Sequence, residues 1–223
     1  MSPRDTAESH AICRPYDRAE RISDVVIHLA GLILALAAVP VLITLTAIWR
    51  GDAAGVTGVS IYGATLIAML SASLAYNHVP NPAWSDRLRR LDLAAIYLKI
   101  AGTVTPFALL SGTGTTFLVA MWAAAIVATG TTFLRRRRST ALSMAIGLGM
   151  GWAVLIGGGE VIATTSWSVF ALMLAGGILY SLGTPFLVLE RVRFHNAIWH
   201  GFVVAASVVF FVAIFLHAAK VPF

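Results

Sequence analysis

The chain has 223 residues, of which 58% are hydrophobic and only 12% charged, and its mean hydropathy is +0.83. That balance excludes a soluble globular domain, because so little charge could not keep this much apolar surface dispersed in water. A formal charge of +6 would point to nucleic acid in a soluble protein. Here the basic residues lie in short connections between apolar runs, where they orient a chain in a bilayer, so nucleic acid is discounted and membrane lipid is the expected partner.

Residues 1–23 form a polar tail. Its mixed charges (Arg4, Asp5, Glu8, Arg14, Asp17, Arg18, Glu20, Arg21) and lack of an apolar core do not read as a cleavable signal. The single cysteine, Cys13, lies in this tail, so no intramolecular disulfide is expected.

Residues 24–223 read as one membrane domain. A spanning helix needs roughly 20 apolar residues. Seven runs of about that length follow, at Val25 to Ile48, Thr57 to Tyr76, Leu93 to Leu110, Thr115 to Leu134, Leu142 to Val161, Val169 to Leu189 and Ala197 to Leu216. Their connections are short, which predicts an all-α bundle of seven transmembrane helices with no linker or soluble module.

Lys and Arg in short loops stay in the cytoplasm, and 13 of the 16 lie in the tail and in the second, fourth and sixth connections (Arg87, Arg89, Arg90; Arg135 to Arg138; Arg191, Arg193). The expected amino terminus is therefore cytoplasmic and the carboxyl terminus outside. The fifth run, GLGMGWAVLIGGGE, and Gly176 and Gly177 in the sixth are glycine-rich, which favours close helix contact. Pro40, Pro106 and Pro185 are expected to interrupt their helices.

On this topology most intramembrane polar residues fall at one end. Asp24 and His28 open the first helix, Ser73 and Asn77 close the second, Asp92 opens the third, and Asn196 and His200 open the seventh. The pairs 24/28, 73/77 and 196/200 are each four apart, so each helix can turn a short polar stripe inward. Such groups are costly against lipid and are normally paired or functional, although a residue in a first turn can also serve as a headgroup-level cap.

His28 and His200 suit metal ligation or general base chemistry, Asp92 suits orienting a histidine or binding metal, and Ser73 suits donation to an oxyanion. A Ser nucleophile with His and Asp is an alternative reading of the same residues. Lys99, two turns beyond Asp92, either pairs with an inward acid or snorkels along its stem. His78 and His195 are turned about 100° from their neighbours, which makes interfacial polarity their expected role.

The segments AERISDVVIHLAG (19 to 31), SLAYN (73 to 77), RRLDLAAIYLKIAGTVTPF (89 to 107), GGILYSLGTPF (176 to 186) and FHNAIWHGFV (194 to 203) resemble the bacterial hemolysin III family. That family belongs with the progestin and adipoQ receptors and, more distantly, the alkaline ceramidases. The resemblance implies a seven-helix protein of the bacterial inner membrane. It also implies a site like a zinc ion held by one histidine at the end of the second helix and two in an H-x-x-x-H at the start of the seventh, with Ser and Asp nearby, suited to hydrolysing an amide or ester in lipid.

Ser73, Asp92 and His200 match that pattern. Asn77 and Asn196 stand at the other two ligand positions, and a neutral amide is a poor zinc donor. Leu93 stands where the family often has a further histidine. Adjacent His78 and His195 would reach the site only if both helix ends unwound. The enzyme expected from the resemblance is a lipid amidase or esterase. The alternative is a non-enzymatic sensor, regulator or proton-linked carrier using Asp92, Lys99 and His200, whereas a secreted pore-forming toxin fits poorly with seven apolar spans.

Overall fold

Asp17 opens the first helix through a capping box. Its carboxylate accepts the Glu20 backbone N–H at 2.8 Å while Glu20 Oε2 accepts the Asp17 N–H at 2.9 Å. That bond from Glu20, with the Arg193 guanidinium beside it, holds the Asp17 carboxyl below its ordinary range. The cap therefore contributes stability above that ordinary range, which is lost as pH falls through the lowered value.

The structure is a computed structural model that describes residues 17–79, 81–134, 139–189 and 191–219. The expectations placed on Cys13 and on Arg135 to Arg138 lie outside the described residues. In chain order the helices are α1 (Arg18–Arg50), α2 (Ala53–His78), α3 (Pro82–Ser111), α4 (Thr115–Leu134), α5 (Thr140–Trp152), α6 (Val154–Gly157), α7 (Gly159–Ala163), α8 (Trp167–Val188) and α9 (His195–Ala218), with no strand among the described residues. Seven stretches are long and apolar enough to span a membrane: α1, α2, α3, α4, Thr140–Gly157, α8 and α9. The all-α, seven-span reading holds.

The three largest departures from the apolar runs each have a local reason. The capping box starts α1 at Arg18, seven residues ahead of the apolar run. Asn81 accepts the Ala83 N–H and Pro82 occupies the first turn, so α3 starts at Pro82 and Asp92 lies about three turns inside it. The expectation that Asp92 sits at the helix mouth is thus corrected. The fifth run is broken at Ala153 and Gly158 into α5, α6 and α7, as glycine's poor helix propensity allows. Glu160 then ties α7 to the α3–α4 turn by accepting the Gly114 N–H at 2.9 Å.

The most enclosed span is α3, which packs against α2, α4, α5 and α9. Its approach to α2 depends on glycine. Gly58 faces the Pro106 backbone, where a Cβ would lie 3.0 Å from Cα, and a Cβ on Gly102 would overlap the Thr65 side chain. Gly102→Val is expected to destabilise the fold by about 1–3 kcal/mol, seen as a lower melting temperature in detergent.

The contact between α1 and α9 is polar at the arginine-rich end of the bundle. Glu20, 3% exposed, accepts the Phe194 backbone N–H at 2.9 Å, and Arg193 pairs with Asp17 at 3.1 Å. Phe194 has φ +60°, a left-handed conformation that costs a residue with a side chain about 1–2 kcal/mol. The Glu20 bond sustains that turn and so sets the start of α9. Glu20→Ala should leave two backbone N–H groups without their carboxylate and cost about 1–3 kcal/mol, measured as loss of thermal stability.

Candidate metal centre

Each residue of the site is placed by helical spacing. Asp24 and His28 share one face of α1, Ser73 and Asn77 one face of α2, and Asn196 and His200 one face of α9. The structure brings these stripes together around Asp24, which is 1% exposed. His200 Nδ1 donates to Asp24 Oδ1 at 2.6 Å, and His28 Nδ1 donates to the Asp24 backbone carbonyl at 2.9 Å. His78 Nε2 lies 3.3 Å from Asp24 Oδ2, and Asn196 Nδ2 donates to the same oxygen at 3.4 Å. The His28 ring stands 4.0 Å from that of His200 and 5.1 Å from that of His78, centroid to centroid.

The protons can be counted. A carbonyl only accepts, so His28 Nδ1 carries its proton and, in the neutral ring, Nε2 is a bare acceptor. The carboxylate likewise places a proton on His200 Nδ1. Both Nε2 atoms then face the Ser73 hydroxyl, at 3.1 Å from His28 and 3.4 Å from His200, and one hydroxyl proton cannot serve two lone pairs. Asn77 does not relieve this, because its amide N–H groups point at Ser73 and its oxygen accepts from Asn196 at 3.0 Å. One Nε2 lone pair is thus left open to a further donor or to a metal ion.

Asp24, His28 and His200 each present a donor atom within 4.8 Å of the others, and all three are buried. Two imidazole donors, one of them held at its second ring nitrogen by a carboxylate, suit zinc without the two asparagines. The group can therefore hold a metal ion.

Several expectations are corrected here. Asp24, read as one more cavity residue, is the hub, while Asp92 lies outside the three-residue group and lines the adjoining cavity near Ser73 and Arg89. His78 joins the cluster with α2 intact to its last residue, so no unwinding is needed. A side chain turned about 100° from Asn77 leaves α9 but meets α1, the other neighbour of α2. His195 stays out, its Nδ1 donating to the Phe186 carbonyl at 3.2 Å. Lys99 neither pairs with Asp92 nor snorkels. It is 3% exposed and donates to the Tyr180 hydroxyl at 2.6 Å.

A cavity of ≈ 380 Å³ runs from this group into the bundle. Its head carries His28, Ser73, Asn77, Asp92, Asn196 and His200, and deeper it is mostly apolar, with walls from α2, α3, α5, α8 and α9.

A family model described as haemolysin-III related matches residues 18–211. The chain is 35% identical over 207 residues to the hemolysin-3 homolog of Bacillus subtilis (strain 168), covering 92% of this chain and 97% of that protein. It is 32% identical over 201 residues to hemolysin-3 of Bacillus cereus, covering 89% of this chain and 91% of that protein. The multi-pass membrane protein built around the Asp24, His28 and His200 group thus belongs to the haemolysin-III-related family.

Proposed function

We propose that this protein is a zinc-dependent hydrolase of the bacterial inner membrane that cleaves an amide or ester bond in a lipid. The reading is carried by the buried Asp24, His28 and His200 donors at the head of a largely apolar cavity. The arginine-rich end of the bundle is cytoplasmic by the charge rule, so the site serves the inner leaflet. Zinc held there supplies a Lewis acid that makes water nucleophilic near neutral pH.

The chain's own residues supply the rest. Asp24 fixes the His200 ring through Nδ1, and its backbone carbonyl fixes His28 in the same way. Ser73, between the two rings, offers its hydroxyl to the oxygen on which charge develops at the scissile carbonyl. The apolar cavity takes the acyl chain and excludes water from it. The hemolysin names of the relatives describe lysis, which a membrane-embedded lipid hydrolase can produce by altering the bilayer.

Purified protein should carry close to one zinc per chain and release acid from amide- or ester-linked lipid in proteoliposomes. Metal-free protein without lipid turnover would overturn the reading. Ser73→Ala is expected to lower kcat by about 10²–10³-fold while zinc content stays at the wild-type level.

The same proton count favours one second reading, a proton-linked carrier in which a proton takes the place of the metal. Its signature is pH-driven flux in proteoliposomes, and flux that survives Asp24→Asn and His200→Ala would exclude it.

A further inference from the structure

Lys99 is a buried cation with no carboxylate partner among the described residues. Its Nζ has three N–H donors, and the structure satisfies one, through the Tyr180 hydroxyl at 2.6 Å. Tyr180 is itself held by Ser207 at 3.0 Å. Two ring faces also stand near the ammonium, Tyr180 at 4.5 Å and Phe210 at 5.1 Å from centroid to Nζ. Cation–π contact offsets part of the cost of removing a charge from water, but it supplies no counter-charge.

Lys99, Tyr180 and Phe210 all line the cavity, so a ligand inside it can reach the ammonium. Lys99 lies seven residues beyond Asp92 on α3. At 1.5 Å per residue it is about 10 Å deeper than the head of the cavity. The deeper walls are mostly apolar, with Ile96, Ile100, Phe107, Met173 and Leu174 beside Thr103 and Thr184. A hydrated inorganic anion gains nothing from such walls. An anion carrying an alkyl chain fits both the charge and the lining, and a volume of ≈ 380 Å³ suits one chain rather than a two-chain phospholipid.

We propose that Lys99 is the anion-recognition group of the cavity and that the cavity binds a single-chain lipid acid, whose carboxylate pairs with the Lys99 ammonium. The site uses none of the metal-binding residues and stands whether or not the protein is a hydrolase.

The test is equilibrium binding of 13C-carboxyl-labelled palmitate to the full-length protein in nanodiscs of zwitterionic lipid, with hexadecanol and acetate as comparison probes. Wild-type protein should bind palmitate and shift its carboxyl resonance, bind hexadecanol at least tenfold more weakly, and show no binding of acetate at the same concentrations. Lys99→Met should weaken palmitate at least tenfold and leave hexadecanol unchanged, which also reports an intact cavity. Lys99→Arg should retain most of the palmitate affinity.

The binding should persist in chelator-treated protein and in His200→Ala. Equal palmitate affinity in wild type and Lys99→Met would overturn the proposal, as would acetate binding as tightly as palmitate. Loss of palmitate binding on chelation with no effect of Lys99→Met would place the carboxylate at the metal centre. That result would overturn the Lys99 site while leaving the hydrolase reading in place.

Discussion

His200→Ala is expected to strip the protein of zinc and abolish lipid hydrolysis. His200 is one of three buried groups whose donor atoms fall within 4.8 Å, and its Nδ1 is already committed to Asp24 at 2.6 Å. Alanine removes a ligand and leaves the Asp24 carboxylate without its shortest hydrogen bond. Loss of an outer-shell partner alone typically lowers metal affinity 10–100-fold, so loss of a ligand should cost roughly 100-fold or more. Zinc content per chain after dialysis against a weak chelator measures this directly. Wild-type zinc content in His200→Ala would remove His200 from the ligand set.

Asp24→Asn carries the second large effect. Asp24 takes contacts from His200, His28, His78 and Asn196, and it is the only acid in the three-residue group. Asparagine keeps the shape, removes the charge, and turns a pure acceptor into a group with two donors. Zinc affinity should fall by about 10–100-fold, with a stability loss of about 1–3 kcal/mol from mismatched buried hydrogen bonds. Asp92→Asn, in contrast, should leave zinc content at the wild-type level, because Asp92 lies outside that group. Equal zinc loss in the two variants would show that the carboxylate roles are not divided in this way.

The difference between these two aspartates shows what a sequence can and cannot convey about such a site. The seven spans were legible because apolar length is a one-dimensional property. The stripes 24/28, 73/77 and 196/200 were legible because a four-residue spacing fixes one face within a helix. Which stripe meets which depends on how helices pack, and no spacing within one helix records that. The apolar run puts Asp92 at a helix mouth, whereas capping by Asn81 and Pro82 places that mouth ten residues earlier.

His78 was missed for a related reason. A four-residue stripe gives a helix a single inward direction, although a helix in a bundle has two neighbours, and His78 faces α1 while Ser73 also faces α9. Lys99 was weighed only against acids and the interface. Its partner, Tyr180, is 81 residues away on α8 and is an ordinary tyrosine in an apolar run. The resemblance to the family placed the metal at the positions of Asn77 and Asn196, where this chain has no suitable donor. The carboxylate and imidazole that could take their place, Asp24 and His28, come from α1.

Metal content of His28→Ala tests this arrangement most directly, because His28 belongs to α1 and not to the family ligand positions. Zinc near one per chain in wild type and lost in His28→Ala is the expected result. Zinc retained at one per chain in purified, folded His28→Ala would contradict a centre built on Asp24, His28 and His200.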